Sequence, residues 1–230
     1  MISNIPLNIE DERIKKILQT TSEGLKGTTT VGLCASDGVI LISDSRATMG
    51  TLIASKTAIK LFQLTPFTGA TIAGLVADGQ KLVDILKAEA ELYSLNRSRT
   101  MPVRSLARVA SNLLHSARWY PFIIQMIIGG IDSHRGPQLF SLDPLGSLIE
   151  EKKVLATGSG SSIALGLLED LYENKEKKLP ISSEAAKIAI RALNAATRRD
   201  IMSGDGLRAA IITKKGFEQF SQAEIAQKFI

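Results

Sequence analysis

The sequence has few of the side chains that hold metals or act as histidine bases. Its 230 residues include one cysteine, Cys34, and two histidines, His115 and His134. A single cysteine forms no disulfide within the chain and supplies no cysteine-based metal cluster. The two histidines form no H-E-x-x-H pattern. We therefore expect no metal site, no cofactor, and no catalytic triad that depends on a histidine base.

Long hydrophobic runs are also missing. The most apolar stretch, 122–131, is interrupted by Gln125 and by Gly129 and Gly130, and it is far shorter than the ~20 residues of a spanning helix. An acidic run at 10–12 occupies the place where a secretory signal needs its apolar region. We therefore expect no membrane association and a cytoplasmic protein, which suits a lone thiol.

The composition is that of an ordinary globular protein. Hydrophobic residues make up 44% and charged residues 22% of a chain long enough for one large domain or two small ones. The formal net charge is +5. The basic residues are scattered, as at Lys15–Lys16 and Lys152–Lys153, whereas a nucleic-acid binder concentrates them in a stripe. We expect no nucleic-acid partner and assign these residues to solvated helix faces and strand ends.

The pattern along the chain changes at Thr28. Within 1–27, apolar residues between Leu7 and Leu18 suggest one side of a short helix, and the polar run 20–24 then breaks the pattern. From Thr28 the chain follows the period of strands, and the Asp37–Gly38 pair is a strong hairpin signal. We predict a leader over 1–27 and a single domain over 28–230.

The predicted elements follow the order strands, two helices, strands, two helices, strands. Hairpins outnumber β-α-β units, so we expect mostly antiparallel sheets. The fold class is α+β, a four-layer αββα sandwich of two sheets between helix pairs. We predict strands over 28–36, 39–43, 61–64, 70–76, 122–130, 139–142, 147–149, 154–157, 207–212 and 217–220, and helices near 78–95, 102–118, 161–173 and 182–199 and after Ser221, where Ser221 and Glu224 form a capping box.

The Gly27–Thr28 junction is the first feature that suggests chemistry. If the chain is cut there, Thr28 gains a free α-amine beside its hydroxyl. A hydroxyl needs an adjacent base to become a nucleophile, and an α-amine with a pKa of roughly 7.7–8.0 is partly neutral at working pH. Gly27 has no Cβ, which lets the backbone distort during the cut. The alternative is that β-branched threonines simply begin a strand.

Four further features accompany this junction. Asp44 ends the second strand and, by hairpin geometry, comes back beside Thr28, while Lys60 follows on the next strand. The loop 158–161, of sequence G-S-G-S, joins a strand to a helix, and 200–206 ends a helix. Each alone has an ordinary interpretation: a turn cap, a solvated lysine, a helix start and a helix stop. The G-S-G-S loop also exposes N–H groups that suit an anion, although it lacks the G-K-[ST] of a P-loop.

Together these features resemble the β-type subunits of the 20S proteasome, within the N-terminal nucleophile hydrolases, and most closely the archaeal type. The stretches G-T-T-T-V-G, D-S-R, K-L-F-Q-L, T-I-A-G-L-V-A-D, G-G-I-D, T-G-S-G-S and R-D-x-x-S-G-D-G stand in family order. The resemblance implies self-cleavage between Gly27 and Thr28, and Thr28 as the nucleophile with its α-amine as the proton shuttle. It places Lys60 beside the hydroxyl, where the ammonium either stabilises the developing alkoxide or relays the proton. It further implies that Asp44 keeps Lys60 charged and that the α-amine is surrounded by three side chains: Ser159, Asp200 and Ser203.

The resemblance also implies how substrate is held. The backbone N–H of Gly74 is the oxyanion donor, and an extended peptide pairs with the backbone of Thr48, Gly74 and Val76. The pocket for the residue before the cut maps to Ala47, Ala58, Phe62, Ile72 and Val76. None of these five is charged, so we expect cleavage after apolar or aromatic residues, of the chymotrypsin-like kind.

Family members form seven-membered β rings, stacked in pairs, flanked by α-type rings and served by an ATPase particle that delivers unfolded polypeptides. The resemblance implies the same partners here. Two alternatives stay open at this point. One is a structural ring subunit that is never cut, and the other is a phosphate- or nucleotide-binding module built on the G-S-G-S loop.

Overall fold

The domain begins with the predicted hairpin. In the computed structural model, which describes residues 27–173 and 179–229, strand β1 (Thr29–Cys34) pairs antiparallel with β2 (Gly38–Asp44). The turn between them contains Asp37, whose carboxylate accepts the backbone N–H of Ser182 at 2.7 Å. The helix suggested for the leader lies outside the described residues.

The remaining elements follow the predicted order, apart from the added strands β3 and β4. They are β3 (Ala47–Met49), β4 (Leu52–Ser55), β5 (Leu61–Thr65), β6 (Thr68–Gly74), α1 (Val76–Arg97), α2 (Val103–Ser116), β7 (Ile124–Asp132), β8 (Gly136–Leu142), β9 (Leu148–Glu151), β10 (Val154–Gly158), α3 (Ser161–Leu168), α4 (Ser182–Thr197), β11 (Leu207–Thr213), β12 (Gly216–Phe220) and α5 (Gln222–Phe229). None of the helices in the described part of the chain is both long and apolar enough to cross a bilayer.

Two five-stranded sheets form the centre of the fold. One has the strand order β10-β1-β2-β11-β12 and the other β5-β6-β7-β8-β9, and every pairing among the described strands is antiparallel. The first sheet packs against α3, α4 and α5, and the second against α1 and α2. The predicted four-layer α+β sandwich is therefore confirmed.

The alternation of side chains explains why both faces of each sheet are covered. In β2, Ile40 and Ile42 point into the core beneath α4, whereas Val39 and Leu41 point into a second core between the sheets. All four are fully buried. Because successive side chains of a strand point to opposite faces, a continuous apolar run is what a strand between two layers requires.

The structure differs from the predictions in two places near the candidate site. The short hairpin β3–β4 was not predicted, and Gly50 at its turn has a positive φ of 60°. Helix α1 begins at Val76, so Val76 lies in the helix rather than in the preceding strand, which ends at Gly74. Gly74 has φ +122°, a conformation outside the strand region, and this ends β6 two residues early.

Antiparallel pairing brings six chain segments to one end of the sandwich. Thr29 pairs with Gly158 and Leu207 with Asp44. Lys60 directly precedes β5, and its carbonyl accepts the N–H of Ile72 near the end of β6 at 2.9 Å. The residues selected from the sequence motifs therefore lie together at this end of the sheets.

Candidate active site

Thr28 lies directly before β1 and is almost fully buried. Its side chain is 2% exposed, and its hydroxyl donates a hydrogen bond to the carbonyl oxygen of Gly27. Its backbone N–H is directed at the Oγ of Ser159 over 3.4 Å. The hydroxyl therefore lies beside the carbonyl group that precedes it, in a place that water reaches poorly.

Asp44 and Lys60 form a buried ion pair next to this threonine. The Nζ of Lys60 lies 2.7 Å from Oδ1 of Asp44, and the same oxygen accepts the N–H of Thr29 at 3.1 Å. The other oxygen, Oδ2, accepts the N–H of Gly204 at 2.9 Å and that of Arg46 at 3.2 Å. The ammonium of Lys60 also donates to the carbonyl of Arg46.

The charges of this pair are set by burial and by these donors. Burial raises the pKa of Asp44, while Lys60 and the N–H groups of Gly204 and Thr29 oppose the rise. Burial lowers the pKa of Lys60, and the charge of Asp44 opposes that change. Four N–H groups converge on one carboxyl group, which suits the ionised, acceptor-only form. The geometry therefore favours a carboxylate beside an ammonium.

A second polar network contacts the backbone nitrogen of Thr28. The Oδ2 of Asp200 accepts hydrogen bonds from Ser159 and Ser203, each at 2.5 Å. Because Ser203 gives its only proton to Asp200, the hydroxyl of Thr29, 2.7 Å from Ser203, is the donor in that contact. Ser159 likewise gives its proton to Asp200, so its oxygen is free to accept from the nitrogen of Thr28. The network thus presents the Ser159 oxygen as a hydrogen-bond acceptor to the nitrogen of Thr28.

Gly74 contributes a backbone group at the edge of the site. A Cβ at this position would lie 2.3 Å from the carbonyl oxygen of Ile123, so only glycine fits. The next residue, Leu75, donates its N–H to that same carbonyl at 2.9 Å. The close approach of the two chain segments holds the backbone of Gly74 in its unusual conformation.

The residues predicted to bind substrate are dispersed over four elements and one loop. Ala47 and Thr48 lie on β3 and are partly exposed, Ala58 lies in the loop before β5, and Phe62 is partly buried on β5. Ile72 is 4% exposed and belongs to the core beneath α1, whereas Val76 is 44% exposed at the start of that helix. Ile72 is therefore part of the core, while the other residues predicted to bind substrate are at least partly exposed.

Arg46 belongs to the site, although its side chain was not predicted from the sequence to do so. Its Nε lies 2.6 Å from Oδ2 of Asp205, and its Nη1 donates to the carbonyl of Ile201 at 2.6 Å. A Cβ on Gly204 would lie 2.7 Å from this guanidinium. The side chain therefore holds the loop 200–206 against the end of β2. The D-S-R stretch includes this arginine, but the spacing of residues in a sequence does not show in which direction its side chain points.

Among the described residues, neither metal ligands nor the thiol of Cys34 add to this candidate active site. No group of three or more potential metal ligands occurs among the described residues. Cys34 is buried between the sheets, where burial raises the pKa of its thiol to about 12. A thiol of this kind stays protonated at neutral pH and is a poor nucleophile.

Comparisons with known proteins agree with this geometry. A protein-family model described as "Proteasome subunit" matches residues 25–212. The chain is 44% identical over 204 residues to a protein of Methanosarcina mazei named "Proteasome subunit beta", covering 89% of this chain and 95% of the relative. Proteins of the same name from Methanococcus aeolicus and Archaeoglobus fulgidus are 47% and 46% identical over 205 and 202 residues, which cover 89% and 88% of this chain and 93% and 92% of those relatives.

Proposed function

Because the chain belongs to the proteasome subunit family and is a proteasome beta subunit, we propose that it is a threonine endopeptidase with Thr28 as its nucleophile. The observation that carries the proposal is the placement of a buried threonine beside two polar groups that contact its backbone or that of Thr29. One is the Asp44–Lys60 ion pair, and the other is the Ser159–Asp200–Ser203 network. The family resemblance inferred from the sequence motifs is confirmed.

The first reaction is removal of the leader, residues 1–27. The Thr28 oxygen attacks the carbonyl carbon of Gly27, forming an ester C–O bond while the C–N bond breaks and the nitrogen gains a proton. Water then hydrolyses the ester and releases the leader with a carboxylate at Gly27. The hydroxyl contacts the Gly27 carbonyl group in the structure, and such proximity in a water-poor place favours an intramolecular attack.

The second reaction is hydrolysis of a substrate peptide. The Thr28 oxygen bonds to the carbonyl carbon, the C–N bond breaks, and the leaving amine takes the proton first held by the α-amine; water then hydrolyses the ester and restores the hydroxyl. The freed α-amine of Thr28 accepts the hydroxyl proton, because an amine with an ordinary pKa near 8 is partly neutral at working pH. The ammonium of Lys60 stabilises the developing negative charge on the oxygen, and Asp44 keeps the lysine charged. Ser159, Ser203 and Asp200 orient the amine through the acceptor that Ser159 presents to it.

Charge on the substrate oxygen is stabilised by the backbone N–H of Gly74, a kind of donor worth about 3–4 kcal/mol of barrier. The peptide lies extended along Thr48, Gly74 and Val76. Its residue before the cut contacts the surface of Ala47, Ala58 and Phe62, with Ile72 behind them. These groups are uncharged, so apolar and aromatic residues are preferred there.

As a proteasome beta subunit, the chain assembles with other subunits into a proteasome core. We assign to it a seven-membered β ring, stacked on a second β ring, with α-type rings outside and an ATPase particle that feeds unfolded polypeptides, in the cytoplasm. The first alternative, a structural ring subunit that is never cut, shares all of this assembly. The second, a nucleotide-binding module, has less support because the side chain of Ser159 in the G-S-G-S loop is bonded to Asp200.

The proposal is tested with three variants of the assembled particle. Thr28→Ala is expected to abolish both leader removal and peptidase activity, Thr28→Ser to retain part of both, and Thr100→Ala, at an exposed threonine between α1 and α2, to retain both. Leader removal is read by intact mass and activity with fluorogenic peptides. Undiminished activity in Thr28→Ala would refute the proposal, and an uncut, inactive wild-type particle would favour the structural alternative.

A further inference from the structure

A second concave site lies at the end of the sandwich opposite Thr28. It is a cleft of about 610 Å³ between the β5–β6 turn, the β7–β8 turn, the α1–α2 loop and the β11–β12 turn. Thr68, at the cleft, and Gly74, at the candidate active site, are the first and last residues of β6. Seven residues of strand separate the two sites by about 20 Å. The volume is within the range of ligand-binding sites.

The rim of this cleft is positively charged. Arg99, Arg135 and Lys214 line it from three different elements. All three are exposed, and none takes part in the ion pairs found among residues 27–173 and 179–229. His134 lies on the same rim.

Among the described residues, one carboxylate lines the cleft, that of Asp132, and it offsets one of these three positive charges. Asp132 accepts the N–H of Val103 at 3.0 Å through Oδ1 and the side-chain amide of Gln138 at 2.7 Å through Oδ2. Both of its oxygens are therefore used to fix the start of α2 and the β7–β8 hairpin. The three cations around it keep a net positive potential that attracts anions.

The floor of the cleft is largely apolar. Phe67, Met101 and Ile131 line it; Met101 is 8% and Ile131 7% exposed. Thr68, also on the cleft, is 1% exposed, and its hydroxyl has no hydrogen-bond partner in the described part of the chain.

We propose that this cleft binds an acidic peptide segment of a partner protein. Carboxylates of the segment pair with Arg99, Arg135 and Lys214, and an apolar side chain covers the floor at Phe67 and Met101. The separation of the cations over three elements suits several carboxylates along a chain. A small inorganic anion would leave the apolar floor in contact with water, so a peptide uses more of the site.

The test measures peptide binding by fluorescence anisotropy on the assembled particle, in a Thr28→Ala background so that the probe is not hydrolysed. The probe is a labelled Glu-Asp-Phe-Glu-Leu-Asp peptide, and its matched control is Gln-Asn-Phe-Gln-Leu-Asn. The cleft variant combines Arg135→Gln with Lys214→Gln. The control variant is Lys215→Gln, which removes the neighbouring exposed lysine of the same β11–β12 turn, outside the cleft.

We expect saturable binding of the acidic peptide, about tenfold weaker binding of the amide peptide, and about tenfold weaker binding to the cleft variant. Lys215→Gln is expected to change affinity by less than about twofold, and binding weakens as salt screens the charges. Absence of binding, equal binding of the two peptides, or an equal loss in Lys215→Gln would overturn the proposal. Citrate binding as tightly as the acidic peptide would also overturn it, since the cleft would then be a site for small anions. The result is independent of the chemistry assigned to Thr28.

Discussion

The ammonium of Lys60 lies 2.7 Å from a carboxylate oxygen of Asp44, which in turn accepts the N–H of Thr29. The lysine is 4% exposed and the aspartate 0%. One carboxylate thus fixes both the charged lysine and the first strand residue after Thr28. The charge of the site and the position of the threonine backbone depend on the same group.

We predict that Asp44→Asn lowers the free energy of unfolding by about 3 kcal/mol or more, because it leaves the ammonium of Lys60 buried without a counter-charge. Peptidase activity is expected to be lost as well. Chemical denaturation of the isolated chain and peptide hydrolysis by the particle measure the two effects. Glu218→Gln is the control: it removes a pair with Lys228 whose side chains are 64% and 53% exposed, and we expect it to cost less than about 1 kcal/mol. Equal losses in the two variants would contradict the role given to burial.

Peptidase activity is predicted to depend on pH in two steps. Activity rises with pH as the α-amine of Thr28 loses its proton, around its ordinary pKa of roughly 7.7–8.0. It falls again as Lys60 loses its proton, and burial lowers the pKa of this lysine from the ordinary value of 10.5. The falling limb should therefore begin below that value. A rate that stays constant up to that pH, in a particle shown to remain folded, would mean that the charge on Lys60 is not needed.

Gly27→Ala is predicted to slow leader removal because its side chain would collide with that of Thr48. A Cβ at this position would lie 2.2 Å from the Oγ1 of Thr48. We expect Gly27→Ala to slow the cut on the order of ten- to a hundredfold, as displacement of reacting groups does. Adding Thr48→Ala removes the collision and should restore much of the rate, as followed by intact mass over time. Failure of Thr48→Ala to restore any of the rate would show that the collision is not the cause.

Gly74→Ala is predicted to damage both stability and activity. The residue combines φ +122° with a carbonyl oxygen 2.3 Å from the position of a Cβ, so alanine strains the backbone and moves the N–H assigned to the oxyanion. Gly136→Ala is a matched control, since Gly136 has φ +71° and nothing within 4 Å of its Cβ position. We expect Gly136→Ala to lower the free energy of unfolding by about 1 kcal/mol, from backbone conformation alone. Gly74→Ala should lower it by about 3 kcal/mol or more. Thermal unfolding measures the effect on stability, and peptide assays measure the effect on activity. Equal effects of Gly74→Ala and Gly136→Ala would contradict the steric argument.

Much of the fold was predictable because the pattern of each strand is local. The Asp37–Gly38 turn fixed the register of the first hairpin, and that register alone brings Asp44 back to Thr29. The continuous apolar run of β2 is the pattern that a strand covered on both faces requires. The β3–β4 hairpin was not predicted because its apolar residues, such as Met49 and Leu52, are exposed. They therefore do not alternate between a buried and an exposed face.

The parts of the site that depend on contacts between distant segments were not predictable from the residues alone. Asp200 and Ser203 lie more than forty positions from Ser159, and nothing in their local sequence shows that they share a hydrogen-bond network. The family resemblance supplied that grouping. The side chain of Arg46 bridges to Asp205 across the loop, and its direction emerges only when β2 and that loop are placed side by side.

The most direct test of the account is the state of the nitrogen of Thr28 in active particles. Intact mass and N-terminal sequencing are applied to particles with measured peptidase activity, before and after the α-amine is chemically blocked. The account predicts chains that begin at Thr28 and an activity that disappears in proportion to blocked amine. Full activity in particles that still carry the Gly27–Thr28 bond, or in particles whose amine is blocked, would contradict it.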